Sequence, residues 1–134
     1  MKGLAAILAL SVASAATGAL AHTHAFVSTG VEVVFAPDGK ATGLRVTWVY
    51  DEFLSMIILE ERGMDKDADG QLTEAEKAEI SGFDMNWDAD FEGDTYALLG
   101  EDPLALGRPE DWTADYEGFM LRSTHLRRFA EPVE

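Results

Sequence analysis

Residues 65–76 read Asp-Lys-Asp-Ala-Asp-Gly-Gln-Leu-Thr-Glu-Ala-Glu. This spacing is that of an EF-hand calcium loop, and it constrains the fold because such a loop is carried between two helices. Asp65, Asp67 and Asp69 stand at loop positions 1, 3 and 5, where side-chain oxygens converge on one ion. Gly70 at position 6 allows the sharp turn, and Gln71 at position 7 offers its backbone carbonyl. Thr73 at position 9 is placed to act through water, and Glu76 at position 12 can bind with both carboxylate oxygens. Calcium is a hard cation that takes six to eight oxygens, and one continuous segment supplies this set. An acidic solvated loop is the plainer alternative, but the joint match at these positions, with apolar Leu72 at position 8, favours Ca2+.

The flanking segments agree with a helix-loop-helix. Phe53, Leu54, Ile57, Ile58 and Glu61 fall at helical spacing, with Asp51 placed as N-cap and Gly63 as terminator. The exiting helix is expected from Thr73 to about Phe83, through Ala75, Ala78 and Ile80. Before this unit, Val27, Thr29, Val31, Val33 and Phe35 alternate, as do Leu44, Val46, Trp48 and Tyr50 beyond the turn Pro37-Asp38-Gly39-Lys40. That pattern predicts a β-hairpin with a wide apolar face. Asp84 to Asp94 is dense in acids and aromatics and yields no assignment; Asp88-Ala89-Asp90-Phe91-Glu92-Gly93-Asp94 imitates a second loop, but Leu99 at its position 12 cannot ligate. Further on, Tyr96–Leu99 is expected to pair with Leu104–Leu106, and Phe119–Leu126 to form a last strand after a turn at Glu117-Gly118. The expected architecture is α+β: a β-hairpin, the EF-hand unit, then further antiparallel strands, in a single small domain.

The first 21 residues read as a secretory signal peptide. Lys2 is followed by the apolar run Leu4–Ala16, too short to span a bilayer, and Ala19-Leu20-Ala21 supplies small residues for cleavage. Residues 22–134 are then one exported domain, periplasmic or secreted, with no membrane insertion after cleavage. The chain has no cysteine, so this domain must hold together without disulfides, and a bound ion is a natural staple. Its formal net charge of −15 becomes one unit more negative when Lys2 is removed, which argues against nucleic acid as a partner.

Cleavage after Ala21 would expose His22-Thr23-His24 as the new terminus. A free amine, two backbone amides and the His24 imidazole form a four-nitrogen set suited to Cu2+ or Ni2+; His22 with its own amine, joined by His24, suits copper, nickel or Zn2+. A flexible tail with freely titrating histidines is the alternative. His125, on the expected last strand, is a candidate third nitrogen ligand if the fold carries it to the terminus. Catalysis has no comparable support. Ser55, Ser81 and Ser123 stand in no motif, pairs such as Asp88 and Asp90 lack a nucleophile, and no glycine-rich phosphate loop is present. The expectation is a binding protein, not an enzyme.

The leader, His-x-His followed by Phe26, Val31-Glu32-Val33-Val34-Phe35, Gly43-Leu44-Arg45-Val46-Thr47-Trp48, Tyr50-Asp51-Glu52-Phe53 and Gly82-Phe83-Asp84 together resemble a bacterial domain of unknown function. That family is often labelled the periplasmic component of an uncharacterised ABC-type transport system, and some members carry an EF-hand-like insertion at this place. The resemblance implies an accessory to transition-metal (Ni, Co, Zn or Cu) transport or handling, with a membrane metal transporter as partner and His22 and His24 as ligands. Two departures stand out. Many relatives read His-Pro-His where Thr23 stands here, and the family domain continues with more strands, so a C-terminally truncated member with exposed strand edges is expected. A calcium-stabilised structural or interaction module without any transition-metal role is the second reading, with Trp48, Trp87 and Trp112 as core or partner contacts.

Overall fold

A computed structural model describes residues 24–134. The expected signal peptide, residues 1–21, and the candidate ligand His22 lie outside the described residues. The element order is β1 (Val27–Phe35), β2 (Ala41–Tyr50), α1 (Glu52–Arg62), α2 (Glu74–Ile80), β3 (Ala97–Leu99), β4 (Asp102–Leu104), β5 (Glu110–Glu117) and β6 (Met120–Val133). Four strands form an antiparallel sheet in the order β1-β2-β6-β5, and β3 and β4 form a separate small hairpin. The α+β expectation holds, with the helix-loop-helix set between the hairpin β1–β2 and the later strands. No helix among the described residues is long and apolar enough to cross a membrane.

The helix signals lie where the sequence put them. Asp51 caps α1, its Oδ1 accepting from the Leu54 N–H at 2.8 Å, and Oδ2 also accepts from the Phe26 N–H at 2.6 Å. The cap therefore fastens the entrance of β1 to the start of the helix, and these backbone donors hold the Asp51 carboxyl below the usual carboxylate range. Gly63 ends α1 in the left-handed region, and the Met64 N–H returns to the Leu59 carbonyl at 3.0 Å.

One sheet face is covered by the helices and the loop between them. Tyr50, Ala114, Tyr116 and Leu121 of the sheet pack with Leu59, Met64, Leu72 and Ile80. Here α1 presents a different stripe from the one expected. Ser55 and Leu59 are buried and Leu54 and Ile58 pack on the core, whereas Phe53 and Glu61 face outward. The apolar repeat allowed either rotation; a serine decides it. Ser55 Oγ donates to the Tyr50 carbonyl at 3.1 Å and accepts from the Leu121 N–H at 2.7 Å, joining α1 to β2 and β6 in a fully buried position. Ser55→Ala leaves both backbone groups unsatisfied, and a urea titration should show a loss of about 1–3 kcal/mol.

The apolar face of the hairpin lies partly open, and two further expectations need correction. The alternating face of β1 is not buried: Val31 and Val33 are about half exposed and Phe35 more so, because the helices reach only as far as β2. Ala75 and Ala78 of α2 also face solvent, and α2 stops at Ile80 because Phe83 already bonds back to Ile80 in a turn. At the C-terminal end, β3 and β4 pair more tightly than expected, Leu99 opposite Asp102. The strand β5 was not anticipated, and β6 runs through Val133. β6 is central, and Leu121, Ser123, His125 and Arg127 alternate onto its covered face while Arg122 and Arg128 stand on the open one, so the polar residues among the buried positions hide the apolar alternation.

Candidate metal centre

The loop between α1 and α2 brings its acids together. One ligand atom each from Asp65, Asp67 and Asp69 lies within 4.8 Å of the others. All six predicted ligands, Asp65, Asp67, Asp69, Gln71, Thr73 and Glu76, line one open concavity of about 500 Å³. The turn depends on Gly70 at φ 76°, a conformation that costs a glycine nothing. Asp65 is the hub: Oδ1 accepts from the Asp69 N–H at 3.0 Å and Oδ2 from the Gly70 N–H at 3.3 Å. Desolvation raises the Asp65 pKa, and the carboxylates of Asp69 and Asp67 push in the same direction against these two hydrogen bonds. A cation placed among the three acids would relieve that repulsion.

Glu76 closes the loop at its other end. Its Oε1 accepts from the Asp65 N–H at 3.3 Å; its Oε2 accepts from the N–H and the hydroxyl of Thr73, each at 2.9 Å. Thr73 Oγ1 accepts in turn from the Glu76 N–H at 3.2 Å, completing a capping box on α2. Loop positions 9 and 12 therefore also start the second helix, and the Thr73 donors lower the Glu76 pKa. The donor set is all oxygen, mostly carboxylate, which fits a hard divalent ion and not a soft one.

The imitation loop at Asp88–Asp94 has another role. The carbonyls of Trp87, Asp88 and Phe91 accept from the Arg108 guanidinium at 2.8, 3.2 and 3.1 Å, while Asp88 and Asp90 face outward. Among the described residues, Asp65, Asp67 and Asp69 form the one acidic group close enough to share an ion.

His24 and His125 do not meet. His24 is exposed and stacks on Phe26 at 6.2 Å, at the end of β1 that pairs with Tyr50. His125 lies opposite Val46, four residues further along β2, and is fully buried. The rings of Trp48 and Trp87 meet it edge-on at 4.9 and 5.4 Å. Among the described residues, neither His125 nitrogen has a hydrogen-bond partner. The proposal that His125 reaches the terminus as a third ligand is thus not supported by its placement.

Around His125 the structure assembles a cluster that the sequence did not reveal. Tyr50 donates to Asp84 Oδ2 at 2.6 Å and Ser123 donates to Oδ1 at 2.9 Å. Burial first, then the Asp84 bond, raises the Tyr50 pKa. Asp84 is aimed by the turn after α2, where Gly82 at φ 81° leaves space for the Trp112 indole; a Cβ there would fall 2.5 Å from Nε1. Trp87 lies under two guanidinium groups, Arg108 at 5.3 Å and Arg127 at 5.0 Å. Arg127 is itself buried and donates to the carbonyls of Gly107 and, at 2.9 Å, of Glu92. The signal for all this was two arginines far downstream of an aromatic, acidic segment, and no local pattern links them.

A second concavity of about 510 Å³ adjoins the loop, lined on its apolar side by Met56, Leu59, Met64, Tyr116 and Phe119.

A family model described as a protein of unknown function, DUF1007, matches residues 7–134. The chain belongs to that family. No curated protein and no solved structure matches it. Membership of the DUF1007 family supports the resemblance at the level of a domain of unknown function, and the matched range spans both the loop and the Asp84 cluster.

Proposed function

We propose that this is a periplasmic calcium-binding protein in which residues 65–76 form an EF-hand loop, and that it serves transition-metal transport or handling. The observation that carries the calcium reading is the convergence of Asp65, Asp67 and Asp69 on one concavity that Glu76 closes from the other side. The loop is unpaired among the described residues, which suits a structural ion with a Kd on the order of 10⁻⁴ to 10⁻³ M, as in extracellular modules. The transition-metal role rests on His22 and His24 and on the transport-associated label of the family it resembles. Copper, nickel or zinc would be held at the terminus, apart from the calcium loop, and passed to a membrane metal transporter.

Two titrations test this. Glu76→Gln preserves the capping box, since glutamine serves at that position, but removes a ligand charge. Calcium affinity measured by calorimetry should fall roughly tenfold or more, because ligand charge sets the affinity of such loops. With calcium saturating, protein confirmed by mass spectrometry to begin at His22 should bind Cu2+ or Ni2+ one-to-one, and His24→Ala should abolish this. Binding no stronger than that of an N-terminally extended control would remove the transition-metal role. The second reading, a calcium-stabilised interaction module, would then stand; the methionine- and phenylalanine-lined concavity beside the loop favours it.

A further inference from the structure

The two edges of the main sheet are built differently. The β5 edge carries Glu110, Asp111, Asp115 and Glu117, is interrupted by a bulge between Glu110 and Thr113, and lies against α2 through the Lys77–Asp115 ion pair at 3.2 Å. Charge, bulge and cover are the devices by which proteins keep an edge from pairing. The β1 edge has none of them along most of its length. Its nine residues contain no proline and no lysine, and Glu32 is its one charged side chain. Its single irregularity falls at the last step, between Val34 and Phe35. Among the described residues, no strand pairs with its outer side. Val27, Val31, Val33 and Phe35 are exposed at 44, 51, 50 and 63% along one face.

We propose that β1 pairs with β1 of a second copy of this chain, antiparallel and centred on Val31, joining two four-stranded sheets into one. A second copy of this unprotected apolar strand suits the edge, and two-fold symmetry then fixes the register. Two-fold pairing must keep each face on its own side, so only registers that match residues of like parity are allowed. Of these, the one with Val31 opposite Val31 is the register that matches all nine residues, Val27 facing Phe35 and Thr29 facing Val33. It continues the apolar face of one copy into that of the other. It also sets Glu32 opposite Gly30 and not opposite its own copy; the two Glu32 side chains fall on the diagonal, about 7–8 Å apart, a milder arrangement than direct opposition. Each lies across from Arg45 of its own β2. Nine paired residues form about eight to ten backbone hydrogen bonds, close to the number in a protein–protein interface of ordinary size.

The absence of cysteine from the chain makes the register directly readable. The exported, calcium-loaded protein should have twice the chain mass by light scattering. Val31→Lys sets two ammonium groups face to face at the dyad and should give the single-chain mass with an unchanged circular dichroism spectrum, since Val31 is half exposed and a lysine stem can lie over Val46 with its ammonium in water. Val31→Cys should cross-link to a covalent dimer under mild oxidant, because opposed residues in an antiparallel pair are about 4.5–5.5 Å apart at Cα, within disulfide reach. Val27→Cys, which would face Phe35, should not. A single-chain mass across the accessible concentration range would overturn the proposal and leave the edge to a different occupant. So would a double mass that persists in Val31→Lys, or equal cross-linking at both positions.

Discussion

Calcium should raise the melting temperature of the chelator-treated protein by about 10 °C once it is present at a hundredfold excess over its Kd. An ion that binds only the folded chain adds about 2.7 kcal/mol at that excess, and a domain of this size gains roughly 4 °C per kcal/mol. The structural basis is the arrangement of Asp65, Asp67 and Asp69 within 4.8 Å. Without an ion these carboxylates repel one another, and hydrogen bonds to Asp65, Asp69 and Glu76 only partly offset that repulsion. Asp65→Ala should therefore destabilise the protein in calcium and cost much less in chelator, because it removes a repulsive charge along with a ligand. Calorimetric scans of both proteins in both conditions check this. An equal cost with and without calcium would mean that the loop is held by its hydrogen bonds and that the ion is not a staple.

Acid should destabilise the fold through His125. Burial beneath Trp48 and Trp87 pushes its pKa from the ordinary 6.5 down to about 4; the Asp84 carboxylate works against this shift and the Arg127 guanidinium adds to it. The native state thus keeps the imidazole neutral over a range in which the unfolded chain takes up a proton. The sign follows: the unfolded state binds more protons, so stability is full above about pH 6.5 and drains away as pH falls toward 4. The whole shift is worth on the order of 3 kcal/mol, a large share of the stability of a small domain. Urea midpoints at pH 7.5 and 4.5 should differ accordingly. His125→Phe keeps a ring between the two indoles and removes the titration, so its midpoint should change far less. An equal drop in that variant would place the acid sensitivity elsewhere, for instance at Asp51 or Asp115, whose lowered carboxyl pKa values act in the same direction at lower pH.

Much of this molecule was legible where chemistry is local. The loop 65–76, the Asp51 cap, the Gly63 stop and the first hairpin each announce themselves within a few residues, because turns, caps and ion loops are satisfied by near neighbours. What stayed hidden depends on contacts across the chain. Ser55 reads as a break in an apolar stripe until Tyr50 and Leu121 are seen on either side of it. The segment around Trp87 has no periodicity because it is ordered by Arg108 and Arg127 rather than by its own backbone. His125 resembled a metal ligand by residue type, and burial made it a core residue instead. The exposed face of β1 obeys a related rule: alternation shows that a strand has an apolar side, not that the same chain covers it.

The pairing of β2 with β6 has a consequence for how the chain reaches its native state. Trp48 is matched with Ser123 and Val46 with His125, so the central seam of the sheet joins segments from opposite ends of the domain. The entire helix-loop-helix must be gathered before that seam can close. Contacts so distant in sequence make for slow folding, because the chain entropy is lost before the pairing rewards it. An ion that compacts residues 65–76 early shortens the effective span between the two strands. Calcium bound there would then govern how fast the sheet forms, as well as how firmly it holds.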